Sequence, residues 1–402
     1  MLDAIYNGLA GMIAYSRGLD VISNNVANLN TPGFKSTMSQ YSDIERQAGD
    51  AGLPEGSMSG AGVAFDGTRL SFSEGQLQNT GNALDAAIDG QGFFILDQNG
   101  QRYYSRAGHF QFDKDGYLVD SVTQARVMVK TDTSALQPFD IDSYRSYTPK
   151  ATTTITLSGS LARTSTASPN VYTVPSISTI DTGGGTQVLS ATFTQDATDP
   201  TKWTVELFDS KNNSLGTGTI QFGADGTPAA DQAALTFVVK PENLPTYTVA
   251  LDIGKSGSYA GITSVEGSTT STVQMLRQDG VQLGSLTDAS FDANGRLQLT
   301  YSNGEKLYPA TLLLANFEDP GVLKEVGNSM FTASNGQQQT VSTPSQNGLG
   351  QIKGGQVEMS NVDLTQQFTD LIVVQRGYQA SSQTMSVANE MLQQLLSMQS
   401  GH

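Results

Sequence analysis

The 402-residue sequence has no cysteine, which excludes disulfide bonds, thiolate metal sites and cysteine nucleophiles. It has two histidines, His109 and the terminal His402, too few for a metal site built from several imidazoles. Charged residues make up 15% of the chain and the net charge is −16, so nucleic acid phosphates would be repelled. No apolar run approaches the length of about 18 residues that predicts a membrane span.

The first part of the chain also lacks the features of a cleavable signal peptide, namely a basic start and a continuous apolar core. We therefore expect a protein that stays in the cytoplasm, or one that leaves by a route without a cleaved signal. Glycine, with 42 residues, and hydroxyl and amide side chains take the place of charge. This composition suits a secreted β-rich protein, or one whose surface is covered by copies of itself.

Apolar residues near the N-terminus recur at spacings of three and four, which predicts a helix with one narrow apolar stripe. The sequence Thr31-Pro32-Gly33 is predicted to end it. The stripe consists of Leu2, Ile5, Leu9, Met12, Tyr15, Leu19, Ile22, Val26 and Leu29.

A second stripe of the same kind lies near the C-terminus, and Asn361 to Asp363 offer an N-cap just before it. The two helices are either ordinary core helices or the two halves of a coiled coil, which would pair with each other and with copies of themselves. The second stripe consists of Leu364, Phe368, Leu371, Gln375, Tyr378, Ser382, Met385, Asn389, Leu392 and Leu396.

The sequence between the stripes predicts β-structure. Residues 90–120 contain strand-like runs separated by Asn-Gly and Asp-Gly turn signals, and residues 288–302 repeat that plan. Residues 151–180 contain 14 serines and threonines interleaved with β-branched residues, which disfavours helix. We therefore predict an all-β domain inserted over residues 151–278.

The predicted fold is mainly β and multi-domain, with N- and C-terminal α-helices that pair as a coiled coil. The domains are nested, and the β domain carries the inserted all-β domain. Residues 1–34 and 360–402 form the helical core, residues 35–70 and 346–359 an irregular connector, and residues 71–150 and 279–345 a discontinuous β domain. Residues 151–278 form the inserted outer domain.

No catalytic, cofactor or metal site is predicted. The segments at Asp113–Gly116 and Asp292–Gly295 begin like calcium loops, but neither has the further ligands, and tight turns explain both. His109 could serve a hydroxyl nucleophile as a base, yet no nucleophile motif accompanies it. The chain is therefore predicted not to be an enzyme.

Several longer stretches resemble one known family. The sequence NNVANLNTPGFKS, residues 24–36, resembles the signature of the bacterial flagellar axial proteins, which comprise rod, hook and hook–filament junction proteins. Residues 89–96 and 103–120 look like the shared β domain of that family, and residues 314–331 are similar to the segment that closes it. Residues 354–385 look like its C-terminal helix motif.

The large insertion makes the chain similar to the hook members rather than to the shorter rod members. The resemblance then implies a structural hook subunit, which assembles into a curved hollow tube and passes motor torque from rod to filament. Alternatives are a distal rod subunit, an adhesin that uses the Ser/Thr-rich β domain, and a secreted enzyme such as a peptidoglycan hydrolase. The lack of a set of catalytic residues argues against the enzyme. The apolar helix stripes near both ends of the chain argue against the adhesin, because a monomeric binding module would not need them.

The resemblance also implies partners and a location. The partners are other copies of the chain, a rod protein at one end and a hook–filament junction protein at the other, with the hook cap and the flagellar type III export apparatus during assembly. Nucleic acid and membrane insertion are not expected. The protein would be cytoplasmic before export and part of the extracellular hook afterwards.

Three groups of residues are the candidate sites. The assembly seam comprises Ile5, Leu9, Met12, Leu19, Ile22, Val26, Leu364, Phe368, Leu371, Tyr378, Met385, Leu392 and Leu396. The turn of the family motif comprises Asn24, Asn25, Asn28 and Gly33, with asparagines that hold the backbone and a glycine with an unusual backbone angle. The hinge candidates, which would let domains slide, are Gly49, Gly52, Gly60, Gly62, Gly348, Gly350, Gly354 and Gly355.

Overall fold

A computed structural model describes residues 2–46, 59–131, 136–163, 170–230, 235–267, 270–333 and 339–399. The chain divides into two units. Unit 1 comprises Met1–Asp142, Ala289–Leu299 and Leu307–His402, and unit 2 comprises Ser143–Asp288 and Thr300–Lys306. None of the helices among the described residues is both long and apolar enough to cross a bilayer.

Two long α-helices belong to unit 1: α1 (Leu2–Ala27) and α2 (Leu364–Gln399). Asp3 in the first turn of α1 complements the positive end of the helix dipole. The predicted cap of α2 is formed by Asp363, whose carboxylate accepts the amides of Thr365 at 2.8 Å and Gln366 at 3.3 Å. Short 3₁₀ turns occupy Asp142–Tyr144 and Pro320–Val322.

The first part of unit 1 continues from α1 into a series of strands. They are β1 (Thr37–Arg46), β2 (Ser59–Leu70), β3 (Leu77–Asn79), β4 (Ala86–Asp89), β5 (Phe93–Gln98), β6 (Gln101–Ser105), β7 (Phe110–Phe112), β8 (Leu118–Asp120), β9 (Arg126–Lys130) and β10 (Leu136–Pro138).

Unit 2 is built from strands alone apart from the 3₁₀ turn at its start, over its described residues. They are β11 (Ser146–Tyr147), β12 (Thr154–Arg163), β13 (Val171–Ile180), β14 (Thr186–Gln195), β15 (Lys202–Phe208), β16 (Ser214–Gln221), β17 (Leu235–Val239), β18 (Tyr247–Asp252), β19 (Ile262–Glu266) and β20 (Gln274–Gln278).

The last strands return the chain to unit 1. Three of them have residues in both units: β21 (Gly284–Phe291), β22 (Arg296–Tyr301) and β23 (Lys306–Leu312). The others are β24 (Leu314–Phe317), β25 (Lys324–Gly327), β26 (Met330–Thr332), β27 (Gln339–Ser342), β28 (Gln351–Gly354) and β29 (Gln356–Glu358).

Unit 1 has a β body in which β9 pairs with β5, β8, β10 and β23. From β5 the sheet continues through β6 and β26 to β25. An aromatic cluster fills its core, where Tyr104 and Phe317 meet edge to face at 4.8 Å and Phe93 lies 6.0 Å from Phe331. The chain leaves this body toward α2 through β28, paired with β4, and β29, paired with β3.

Most strands of unit 2 form two sheets around one apolar cluster. The sheet β13-β14-β15-β16 is antiparallel, while β12 pairs in parallel with β18 and β19 and antiparallel with β20. Strand β15 buries every second residue, as its alternating sequence requires, and Trp203 is fully buried at its start. Side chains from both sheets make up the cluster, so unit 2 has a core of its own.

Asp279, which follows β20, is hydrogen-bonded to the start of β12. Its carboxylate accepts the amides of Thr153 and Thr154 at 2.8 Å and the hydroxyl of Thr153 at 2.5 Å. Burial acts to raise the pKa of Asp279, but these hydrogen bonds outweigh it and lower the pKa to about 2. The ionised carboxylate therefore stabilises the junction of β12 and β20.

The prediction of a mainly β chain with a helix near each end is confirmed. The interpretation of residues 35–70 as irregular is wrong for the described residues, because β1 and β2 form an antiparallel hairpin from Thr37↔Leu70 to Arg46↔Ser59. Two register shifts, at Gln40/Tyr41 and Asp43/Glu45, explain the error, since each bulge breaks the alternation by which a strand is recognised.

The interpretation of residues 348–355 as a flexible joint is wrong for Gln351–Gly354, which form β28. The glycines there serve close packing instead. A Cβ on Gly350 would lie 2.4 Å from the carbonyl oxygen of Asp89, and one on Gly354 would lie 2.2 Å from that of Phe291. The domain boundaries drawn from the sequence stay predictions beside this two-unit division.

Candidate assembly interface

Helices α1 and α2 pack antiparallel through a contact made of small residues. Gly8, Gly11, Ala14 and Gly18 are the buried residues in the first two thirds of α1. A Cβ on Gly11 would lie 2.5 Å from the Oγ of Ser381, and one on Gly18 would lie 3.5 Å from the side chain of Val374. The backbones therefore approach more closely than large apolar side chains would allow.

The aromatic ring of Tyr15 occupies one of the gaps that this contact leaves. Its ring atoms lie 2.6–2.8 Å from the position that a Cβ on Gly377 would take. At the far end of the contact, Asn25 of α1 reaches Gln367 of α2. These pairs fix the axial register of the two helices, that is, which residue of α1 lies beside each residue of α2.

The buried stripe of α1 lies mostly one residue before the predicted seam. Among the predicted seam residues, Ile22 is buried, and Ile5, Met12, Leu19, Val26, Leu371, Met385 and Leu392 are half-buried. The exposed ones are Leu9, Leu364, Phe368, Tyr378 and Leu396. The large residues thus flank the small-residue contact, and their role in pairing with other copies stays a prediction.

Each helix also carries exposed apolar side chains outside the small-residue contact between the two helices. On α1 these are Tyr6, Leu9 and Ile13, which are 57%, 43% and 50% exposed. The α2 ridge, as we call the exposed face of α2, is longer. It comprises Leu364, Phe368, Ile372, Val387, Met391, Leu395 and Met398. This many exposed apolar side chains on one helix are typical of an interaction site.

The turn of the family motif is held by side chains. The amide of Asn25 is 1% exposed, donates to the carbonyl of Thr37 at 2.8 Å and to the side chain of Gln367 at 2.9 Å, and accepts the amide of Thr37 at 2.9 Å. This single side chain therefore joins the end of α1, the start of β1 and the start of α2.

The other asparagines act within the turn itself. Asn28 donates to the backbone carbonyl of Asn24 at 3.0 Å and accepts the hydroxyl of Thr31 at 3.1 Å. Gly33 adopts a φ of 68°, and a Cβ there would lie 2.4 Å from the amide nitrogen of Ala107. Its own amide donates to the carbonyl of Glu358 at 2.8 Å. Glycine is required at this position by both its backbone angle and its surroundings.

A buried ionic cluster lies beside this turn. The ammonium of Lys35 donates to Glu358 Oε1 at 2.6 Å and to the carbonyl of Ser73 at 2.7 Å, and the amide of Gly75 donates to the same carboxylate oxygen at 2.8 Å. The guanidinium of Arg106 lies 3.3 Å from Glu358 Oε2. The side chains of Lys35 and Glu358 are fully buried, and that of Arg106 is 5% exposed.

Burial lowers the pKa of Lys35, and the neighbouring Glu358 carboxylate opposes that shift. Burial likewise lowers the pKa of Arg106. The Nε of Arg106 has no hydrogen-bond partner among the described residues, while its guanidinium lies 5.2 Å from the centre of the Phe93 ring. Glu358 is the buried carboxylate that both cations contact, which makes it the electrostatic centre of the cluster.

Sequence reasoning missed this cluster, and it named Asn361 only as part of a helix cap and not for its bonds to other segments. The side chain of Asn361 accepts the amide of Ser36 at 2.7 Å and donates to the carbonyls of Ser71 and Ser73. Both Lys35 and Glu358 fall within the stretches that carry the family resemblance. Their isolation as single charges in charge-poor segments was the signal that could have paired them.

The other sequence candidates have ordinary structural roles. His109 Nδ1 lies 3.3 Å from Asp85 Oδ2, which also accepts the hydroxyl of Thr80, so that hydroxyl is bonded to the carboxylate and not to the imidazole. Asp113 and Asp292 accept backbone amides of their own turns. Within the described ranges no group of acidic or histidine side chains could hold a metal ion.

The hinge candidates occupy several environments. Gly49 and Gly52 lie outside the described residues. Gly60 lies in β2, and Gly62 lies there too, with a φ of 99° at a register shift. Gly348 has a φ of 77° with open space around it, and Gly355 has a φ of 70° between β28 and β29. A hinge role for any of them stays a prediction.

Three models of protein families match the chain. "Flagella basal body rod protein" matches residues 5–35, "Flagellar hook protein FlgE/F/G D1 domain" matches residues 87–159, and "Flagellar basal body rod FlgEFG protein C-terminal" matches residues 353–398. The matched ranges contain α1 with the motif turn, the strands around β9, and α2.

Similarity to individual proteins extends over the whole chain. The flagellar hook protein FlgE of Borreliella burgdorferi is 29% identical, over 98% of this chain and 99% of that protein. FlgE of Escherichia coli is 27% identical over 98% and 100%. The flagellar basal-body rod protein FlgG of Bacillus subtilis is 26% identical over 99% of each.

Among solved structures, that of the Helicobacter pylori flagellar hook protein FlgE2 aligns with 69% of this chain and 99% of its own, at a TM-score of 0.49 and 14% identity. The resemblance drawn from the sequence motifs is confirmed by the family models and the full-length relatives. The chain is therefore similar to the flagellar hook and rod proteins, in the family motifs and over its full length.

Proposed function

We propose that the chain is a structural subunit of the flagellar hook, and that copies of it assemble into a curved, hollow helical tube. The observation that carries the proposal is the similarity to hook proteins over 98% of the chain, which includes the large unit 2 as well as the family motifs. In the assembled hook this tube acts as a universal joint, which passes motor torque from the rod to the filament during swimming.

The exposed helix faces support self-assembly. Fully burying one large apolar side chain contributes about 1.5–3 kcal/mol, so covering even half of the α2 ridge would stabilise a contact substantially. Each chain has one small-residue contact between its own helices and two outward apolar faces, one on each helix. A contact between unlike faces of successive copies does not close on itself and extends into a helical filament.

The torque-bearing role is supported by the way the chain is built. Each unit has its own apolar core, so each can keep its fold while the spacing between copies changes during rotation. Among the hinge candidates, Gly348 fits best because it lies in a turn with open space around it. Gly350 and Gly354 fit least, because each is packed against backbone.

The proposal carries the partners that the resemblance implies. These are other copies of the chain, a rod protein and a hook–filament junction protein at the two ends, and the hook cap and type III export apparatus during assembly. The chain would pass from the cytoplasm to the outside of the cell through that apparatus.

A distal rod subunit is the second candidate, because a rod protein of Bacillus subtilis is also similar over the full length. Immunogold electron microscopy separates the two. An antibody raised against the full chain is applied to source cells, and cells that lack the gene serve as the control.

Gold along a short curved segment between the cell surface and the filament is the expected result. Gold confined to basal bodies, and seen only after the membranes are removed, would make the chain a rod subunit. Gold spread over the cell surface without flagella would refute both candidates and favour the adhesin.

A further inference from the structure

Charge is scarce on the two long helices. Helix α1 has 26 residues and α2 has 36, and between them they carry six charged side chains: Asp3, Arg17, Asp20, Asp370, Arg376 and Glu390. Arg17 lies 5.8 Å from the centre of the Phe65 ring, and Asp370 accepts from Gln366 at 2.9 Å. Asp20, Arg376 and Glu390 are exposed and have no partner among the described residues.

Arg376 is the one cation of α2, and it lies within the α2 ridge. Steps of four residues lead from the ridge residues Phe368 and Ile372 to Arg376, which places Arg376 beside them on the helix surface. If another molecule covers this ridge, the guanidinium loses its water. A buried charge of this kind is strongly unfavourable unless a carboxylate meets it.

Asp20 holds the matching position on α1. It lies seven residues after Ile13 and eleven after Leu9, so it shares their exposed face. The contacts of Tyr15 with Gly377 and of Gly18 with Val374 place Arg376 level with residue 16 of α1. Asp20 is four residues further along, or about 6 Å at 1.5 Å per residue, which an arginine side chain can bridge.

The two charges lie on opposite sides of the helix pair, because each lies on the face that points away from the other helix. We propose that Arg376 of one copy forms an ion pair with Asp20 of the neighbouring copy, and that this pair fixes the axial register between them. The inference rests on the proposed self-assembly of the chain. It adds a specific contact between the outer face of α2 and the outer face of α1.

Glu390 is the competing carboxylate. It lies 14 residues from Arg376 on the same helix, so pairing with it would displace neighbouring copies by about 21 Å along the helix axis. Such a displacement would leave a large part of each apolar face uncovered. Pairing with Asp20 keeps the apolar faces of the two copies side by side, which is why we favour it.

Charge reversal tests the pair in the full-length protein. Arg376→Glu and Asp20→Arg are each expected to raise the critical concentration for polymerisation at least about tenfold, because both place like charges together in the contact. The double variant Arg376→Glu/Asp20→Arg restores opposite charges and is expected to polymerise within about threefold of the wild type.

The thermal unfolding midpoint of the monomer is the control. Neither residue has a hydrogen bond or ion pair within the described part of its own chain, so this midpoint should be unchanged in all three variants.

Single variants that polymerise normally would overturn the pair and leave the hook assignment intact. If the single variants are impaired and the double reversal does not rescue them, Asp20 is not the partner of Arg376. If Glu390→Arg rescues Arg376→Glu instead, the partner is Glu390 and the proposed pair is wrong. Failure of the wild type to localise to hooks would contradict the proposed function itself, whatever the variants do.

Discussion

Replacing Glu358 with glutamine should destabilise unit 1 more than any other single change of charge. The carboxylate is fully buried and accepts from Lys35 at 2.6 Å, from the amide of Gly75 at 2.8 Å and from Arg106 at 3.3 Å. Glutamine has nearly the same shape and keeps one acceptor oxygen, but it carries no charge. Lys35 and Arg106 would then be two buried cations that have lost their ion-pair partner, with the exposed carboxylate of Glu74 as a weaker counter-charge.

The expected magnitude follows from the geometry. Removing one partner of a buried ion pair costs about 3–5 kcal/mol, because the remaining charge stays desolvated. The upper half of that range is expected here, since two cations lose the same carboxylate. The whole stability of a folded domain is only about 5–15 kcal/mol, so the variant should lose a large share of it.

Two optical probes can locate the effect. The long helices α1 and α2 both lie in unit 1, so far-ultraviolet circular dichroism reports chiefly on that unit. The single tryptophan, Trp203, is fully buried in unit 2, and its fluorescence reports on that core. Glu358→Gln should lower the denaturation midpoint followed by circular dichroism, and it should leave the free energy of unfolding of the core around Trp203 nearly unchanged.

The matched control is Glu74→Gln, which removes an exposed carboxylate near the same two cations. Exposed charges contribute about 0–1 kcal/mol, so this variant should unfold almost like the wild type. If Glu358→Gln shifted the midpoint no more than Glu74→Gln, the account of Glu358 as the electrostatic centre would be wrong.

Three further changes test other parts of the fold. Asn25→Ala removes a buried side chain with three hydrogen bonds and should cost about 2–4 kcal/mol in denaturant titration, because the backbone of Thr37 loses its partners; a smaller loss than for Asn24→Ala would contradict this. The pKa of Asp279 is lowered to about 2, so its stabilising effect is full above the unfolded value of about 3.9 and is lost as the pH falls through 2. The difference in unfolding free energy between wild type and Asp279→Asn should therefore shrink between pH 4 and 2, and a constant difference would refute the assignment. Gly377→Leu should destabilise the helix pair by about 1–3 kcal/mol in circular dichroism melts, because its Cβ would fall 2.6 Å from the Tyr15 ring; an unchanged melt would show that the helices can move apart freely.

The sequence predicted the broad plan because its signals are local. Helix periodicity, Asn-Gly and Asp-Gly turns and Ser/Thr-rich β-branched runs each depend on near neighbours in the chain, and they located the helices and most strands. The hairpin β1–β2 was missed because its two bulges interrupt the alternation of side chains. The strand β28 was missed because its neighbouring glycines pack closely against backbone, and close packing and flexibility leave the same mark in a sequence.

The assembly site shows a deeper limit of periodicity. A search for apolar residues at spacings of three and four finds Leu9, Met12 and Leu19, but the helix contact is made by Gly8, Gly11 and Gly18, one position earlier. Glycine counts as neutral in any apolar stripe, yet it is the residue that lets two helix backbones approach. Once the small residues form the contact within the chain, the large ones are left facing outward.

That displacement by one residue links the fold to the proposed assembly. If the large residues filled the contact within one chain, the helix pair would be self-sufficient, and a copy would have little apolar surface to offer the next. Because glycines form that contact instead, Leu9 and Ile13 on α1 and the α2 ridge are free to bind neighbouring copies. The same geometry places Arg376 and Asp20 on those outward faces, where only a second copy can bring them together.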